Sequence, residues 1–199
     1  MDIEAVFFDL GGVILRTEYQ APREYLAERL GLSYEELVKL VFASESARQA
    51  SLGRITAAQH WVSVATRVGR PATEIAALRD EFFAGDILDR GLLDLIRSLK
   101  PRRKTGLVSN AWLDLRDYIV GNGFQDVFDS IIISAEVGVL KPDAGIYKLA
   151  LDSVGAVPGQ SVMVDDMAEN IEAAEAVGMH GILFRDPQDV HTELARLLA

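Results

Sequence analysis

Residues 3–8 read Ile-Glu-Ala-Val-Phe-Phe, an apolar run that stops at Asp9 and is followed by Gly11-Gly12. A run bounded by a carboxylate and a glycine pair predicts a buried strand feeding a loop. Similar strand endings recur at 105–109, 130–134, 161–165 and 181–184, which makes five candidate core strands. Between them, apolar residues recur at helical spacing over 91–99, 113–121, 144–154, 168–177 and 189–198. Apolar runs alternating with amphipathic helices indicate an α/β fold, a doubly wound parallel sheet covered on both faces. Ligands of such sheets bind beyond the carboxyl ends of the strands.

Residues 16–85 break this alternation. Helical periodicity covers 22–30, 34–42, 57–68 and 73–83 with no convincing strand between, so the stretch reads as an all-helical insertion. The core is then expected at 1–15 and 86–199, with the helical unit at 16–85. Nine basic and nine acidic residues balance within the insertion, whereas the remaining eleven basic and twenty-one acidic residues carry the whole charge of −10. That asymmetry supports two modules.

Composition narrows the classes further. With 49% hydrophobic and 25% charged residues the chain has apolar surface enough to fold, which excludes wholesale disorder. Its acidic field repels nucleic-acid backbones and anionic membranes, so a bound phosphate must be met by local donors. The absence of cysteine removes disulfides, thiolate metal sites and thiol nucleophiles. The start Met-Asp-Ile-Glu has no signal-peptide pattern, and no run approaches the ~18 apolar residues of a membrane span. A cytoplasmic protein is expected, with no nucleic-acid or membrane partner.

Candidate chemistry collects at the strand ends: Asp9 after the first, Ser109-Asn110 after the second and Asp165-Asp166 after the fourth, with Lys141-Pro142 in a loop after the third. Carboxylates from separate strands suit Mg²⁺, a hard cation that prefers oxygen ligands and bridges to substrate phosphate. Asp9 and Asp166 are the expected ligands. A carboxylate beside such an ion can also attack phosphorus, which makes Asp9 the candidate nucleophile. Ser109, Lys141 and the amides around Gly11-Gly12 and Asn110 suit the phosphate oxygens. Gly12 would let the backbone approach an oxyanion.

Four ordered segments, Phe7-Phe-Asp-Leu-Gly-Gly-Val13, Val108-Ser-Asn110, Leu140-Lys-Pro-Asp143 and Val164-Asp-Asp-Met-Ala-Glu-Asn170, resemble the motifs of the haloacid dehalogenase-like hydrolases. With an insertion after the first motif, the similarity spans the whole chain. The resemblance implies a Rossmann-like core under a helical cap, with Asp9 as nucleophile and Ser109 and Lys141 holding the transferred group. It further implies a metal site of Asp9, the Gly11 carbonyl and Asp166, with Asp165 beside it and Asn170 supporting the acidic loop. The substrate would be a small phosphorylated metabolite.

One position departs from the phosphatase pattern. Such enzymes carry a second aspartate two residues after the nucleophile, a general acid/base typically worth ~10²–10⁴-fold, and here that residue is Gly11. Three outcomes follow: a slow phosphatase favouring leaving groups that need no proton, an enzyme recruiting another acid such as Glu18, or a binding or regulatory scaffold without turnover. Dehalogenases of the superfamily also lack that aspartate and the metal, but the Asp165-Asp166 pair is hard to explain without a cation. Relatives that cleave phosphonates use a cap lysine, and Lys39 is the only one in the insertion. His60, His180 and His191 form no metal spacing; Trp61 reads as cap core, and Trp112 stands nearer the cleft mouth.

Overall fold

The computed structural model describes residues 2–198. The first strand, β1 (Ala5–Phe8), is followed by β2 (Leu15–Thr17) and then five helices, α1 (Ala21–Leu30), α2 (Tyr34–Phe42), α3 (Glu45–Ser51), α4 (Ala57–Arg67) and α5 (Ile75–Phe83). The chain returns through β3 (Asp86–Leu88) to α6 (Arg90–Leu99), β4 (Lys104–Ser109), α7 (Leu115–Gly121) and β5 (Ser130–Ile133). It closes with α8 (Ser134–Val137), α9 (Ala144–Val154), β6 (Ser161–Asp165), α10 (Ala168–Val177), β7 (His180–Leu183) and α11 (Pro187–Leu198).

All five expected core strands form one parallel sheet in the order β5-β4-β1-β6-β7. The order reverses at β1, the point where a doubly wound sheet opens a crevice at its carboxyl edge. Successive strand residues alternate between faces, so Val6 and Phe8 pack into one hydrophobic cluster while Ala5 and Phe7 pack into the other. Both faces are therefore buried, which explains why these strands read as continuous apolar runs rather than alternating ones.

Four of these helices, α1, α2, α4 and α5, gather around a third cluster that includes Leu26, Leu37, Val41, Val64, Leu78 and Phe82. Local chemistry sets their starts. Ser33 and Glu36 form a reciprocal capping box on α2, and Thr56 and Gln59 do the same on α4, each pair satisfying two otherwise orphaned amides. Trp61 lies in this cluster at 2% exposure.

The segment 16–85 is not all-helical at its root. Strand β2 pairs antiparallel with β3, Leu15 opposite Leu88 and Thr17 opposite Asp86, so the helices leave and rejoin the sheet through a two-stranded ribbon. Three-residue strands are too short to display a period of two. Helix α3 was also not apparent, because its sequence ESARQAS buries only Ala47 and Ala50 and has no apolar stripe. Arg23 of α1 pins the helices to this ribbon, with Nη2 donating to Asp86 Oδ1 at 2.7 Å and Oδ2 at 2.9 Å. No helix among the described residues is long and apolar enough to cross a membrane.

Candidate active site

The parallel register brings three chemical groups to one edge of the sheet. Phe8 stands opposite Leu107 of β4 and Val164 of β6, so Asp9, Ser109 and Asp165 all emerge at the carboxyl ends of adjacent central strands. The Asp9 amide extends the ladder by donating to the Val164 carbonyl at 2.9 Å. Asp166 follows on the same loop, and oxygens of Asp9, Asp165 and Asp166 all lie within 4.8 Å of one another.

Lys141 is set into this cluster with its side chain fully buried. Its Nζ lies 3.0 Å from Asp9 Oδ2 and donates to Asp165 Oδ2 at 2.6 Å. Asp165 is held on its other oxygen as well, where Oδ1 accepts from the Met167 amide and from Asn170 Nδ2, both at 2.9 Å. Asp165 is thus fully engaged, whereas Asp166 is the most open of the three. Burial pushes the Asp9 carboxyl up to about 6, against the lowering influence of Lys141, and the neighbouring Asp165 charge pushes in the same direction as burial. Asp166 is likewise raised, first by burial and then by Asp165. Three carboxylates facing one ammonium leave an excess of negative charge that suits a cation with oxygen preference.

The surrounding residues hold this arrangement rather than enlarge it. Asn110 spends both polar side-chain atoms on the main chain of Lys141, donating from Nδ2 to its carbonyl at 2.9 Å and accepting from its amide at 2.8 Å. Asp143 caps α9 by accepting from the Gly145 amide at 2.7 Å, which fixes the loop that carries Lys141. Gly12 adopts φ +77°, and a Cβ there would stand 2.1 Å from Asp166 Oδ2. The close approach that requires glycine is thus to a carboxylate of the site itself. At Gly11 a Cβ would meet nothing within 4 Å. The position of the missing aspartate is open space.

Other candidates are placed elsewhere. Glu18 is paired with Arg16 at 2.8 Å, and both line a groove of about 520 Å³ with Tyr19, Asp89 and Arg90 on the ribbon. His60 is buried in the helical segment against Ser46, His180 contacts the Gly159 carbonyl, and His191 is exposed. Sequence reasoning did not assign a structural role to Trp112, whose ring packs against the helical cluster. Its place two residues after Asn110 was the available signal.

A family model for haloacid dehalogenase-like hydrolases matches residues 3–178. The chain is 29% identical over 217 residues to bifunctional epoxide hydrolase 2 of Rattus norvegicus, covering 99% of this chain but 39% of that protein, so it spans well under half of that relative. It is 28% identical to sesquiterpene phosphatase astK of Aspergillus oryzae, covering 98% of this chain and 96% of that one. Among solved structures, HAD family enzyme bt-2542 of Bacteroides thetaiotaomicron, in complex with magnesium and inorganic phosphate, superposes with TM-score 0.76 at 20% identity, covering 94% of this chain and 98% of that one. On the breadth of the family match, with its parallel sheet and ordered strand-end motifs in place, the chain belongs to the haloacid dehalogenase-like hydrolases.

Proposed function

We propose that this hydrolase is a Mg²⁺-dependent phosphatase of a small phosphorylated metabolite, working through an aspartyl-phosphate on Asp9. The observation that carries the reading is the packing of Asp9, Asp165 and Asp166 within 4.8 Å around a single ammonium. Asp9, the Gly11 carbonyl and Asp166 would hold the ion, with Asp165 beside it; when bound, Mg²⁺ supplies charge neutralisation for phosphate oxygens and keeps Asp9 ionised. The relatives support this assignment, since one is a sesquiterpene phosphatase and one structure holds magnesium with inorganic phosphate.

In the first step the Asp9 carboxylate forms a bond to phosphorus while the bond to the leaving oxygen breaks, and that oxygen departs with the electron pair. In the second, water attacks the acyl phosphate, releasing inorganic phosphate and restoring Asp9. Ser109 and Lys141 position the phosphoryl oxygens, as do the amides at Gly11-Gly12, and Asn110 fixes the Lys141 backbone at 2.8 and 2.9 Å. The helical segment 16–85 acts as the cap that covers the cleft. With Gly11 offering no acid and Glu18 tied to Arg16 at 2.8 Å on the ribbon, neither position supplies a proton to the leaving group. The favoured substrates are therefore phosphoesters and anhydrides whose leaving group is stable as an anion.

Phosphate release from acetyl phosphate and p-nitrophenyl phosphate tests the reading. The expected result is Mg²⁺-dependent turnover that is lost in Asp9→Asn and in excess chelator. Equal residual turnover in Asp9→Asn, or halide release from a 2-haloacid in chelator, overturns it.

A further inference from the structure

Four consecutive residues at the end of β4 are each committed to a different part of the molecule. Ser109 ends the strand at the site, and Asn110 clamps the main chain of Lys141. Ala111 is braced by Ser134, whose Oγ accepts from its amide at 3.0 Å and donates to its carbonyl at 3.2 Å. Trp112 then leaves the sheet altogether. Ala111 packs against the sheet cluster, while the Trp112 ring packs into the helical cluster. Its centroid lies 4.7 Å from that of His60, 6.2 Å from Trp61 and 6.3 Å from Phe42.

A second contact reaches the same four residues from the other side. Gly53, in the turn after α3, sits at φ +70° so close to α8 that a Cβ there would stand 2.0 Å from the Ala135 carbonyl oxygen. Ala135 neighbours Ser134, which holds Ala111. The helical segment therefore bears on residues 109–112 directly through Trp112 and indirectly through Gly53, Ala135 and Ser134.

We propose that Trp112 is a positioning residue, a side chain of the sheet module plugged into the helical module, which ties the seating of the helices to the alignment of Ser109, Asn110 and Lys141. The inference rests on the phosphatase reading for what those three residues align. Packed interfaces of this kind adopt discrete arrangements rather than bending continuously, so a shift of the helices is transmitted along the short segment. A misplacement of ~1 Å at reacting groups costs on the order of 10²-fold in rate.

The chain has two tryptophans, Trp61 and Trp112, and both lie at this seam, so tryptophan emission, excited selectively over the five tyrosines, reports it. Wild type, Trp112→Phe, Trp112→Ala and Leu26→Ala are compared; Leu26 is buried in the helical cluster and makes no part of the seam's ring contacts. The expected result is that Trp112→Ala loses ~10–100-fold in kcat/KM, largely in kcat, while Trp112→Phe stays within about threefold of wild type. Leu26→Ala, destabilised by its cavity, keeps its turnover at temperatures where it is folded. Mg²⁺ with inorganic phosphate should also shift wild-type tryptophan emission. Turnover of Trp112→Ala no lower than that of Leu26→Ala overturns the proposal. So does phosphate that binds by calorimetry yet leaves the emission unchanged. If wild type binds phosphate and shifts its emission without turning over, the phosphatase reading fails and the coupling stands. If it neither binds nor turns over, both fall.

Discussion

Replacing Arg23 by methionine should destabilise the protein by about 3–5 kcal/mol at neutral pH, the cost of leaving one buried charge without its partner. Arg23 is 5% exposed and makes three hydrogen bonds, two to the Asp86 carboxylate at 2.7 and 2.9 Å and one from Nε to the Phe82 carbonyl at 3.0 Å. Its guanidinium also stands 4.2 Å from the Phe82 ring centroid. Methionine fills much of the volume but restores none of the donors, so Asp86 keeps only the Thr17 hydroxyl, at 2.9 Å. The apolar double variant Arg23→Met/Asp86→Leu removes the charge along with its partner and should recover most of the loss.

The pH dependence of the same variant follows from Asp86. Burial already holds its carboxyl above the ordinary range, with Arg23 working in the opposite direction, so removing Arg23 pushes it higher. A group bound more tightly to its proton in the folded state than in the unfolded state loses stability as pH rises through that interval. The deficit of Arg23→Met should therefore be large at neutral pH and shrink as pH falls toward the ordinary carboxylate value. Urea unfolding followed by circular dichroism between pH 4 and 8 measures both effects. A neutral-pH loss below about 1 kcal/mol, or a deficit that grows toward acid, would refute the reasoning.

The remaining predictions concern the site. Gly12→Ala should cost about 1–3 kcal/mol through its left-handed backbone and, by displacing Asp166, weaken Mg²⁺ affinity measured calorimetrically. Lys141→Met should abolish phosphate release and lower metal-free stability by about 3–5 kcal/mol, with Mg²⁺ restoring much of the stability in thermal melts. Gly11→Asp places its Cβ in open space and should accelerate hydrolysis of alkyl phosphates by about 10²–10⁴-fold while changing p-nitrophenyl phosphate turnover little. Equal gains on both substrates would show that the missing group is not an acid.

The sheet and its strand-end residues were legible because buried parallel strands must be continuously apolar and must end where the crevice begins. That rule located Asp9, Ser109 and Asp165 before any coordinate did. The ribbon of β2 and β3 was not legible: each strand has three residues, half-buried or exposed, so neither period nor hydrophobicity marks them. The Arg23–Asp86 pair joins residues 63 apart and has no local signal. Asn110 was readable as a polar residue beside the phosphate site, but its two hydrogen bonds to the Lys141 backbone depend on where a loop distant in sequence comes to rest.

Charge arithmetic at the site separates the competing chemistries. Asp9, Asp165 and Asp166 with Lys141 sum to −2 when ionised, and Asp9 resists that state, its carboxyl being pushed up to about 6. A protonated Asp9 is no nucleophile; a carboxyl at about 6 is mostly ionised at neutral pH and loses its nucleophile below that, and a further positive charge would extend the ionised range toward acid. Binding a phosphate dianion to the bare cluster would bring the sum to −4, which a buried site does not tolerate. Asp9 and Asp166 would hold a divalent cation that would return the sum to −2 and lower the Asp9 carboxyl. Dehalogenation of an anionic 2-haloacid would do better with fewer carboxylates, since nothing in that chemistry supplies a cation to offset Asp166. The cluster therefore argues for metal-assisted phosphoryl transfer over halide displacement. It also sets the sign of one dependence: turnover should rise with pH through Asp9 ionisation, at lower pH the more Mg²⁺ is present.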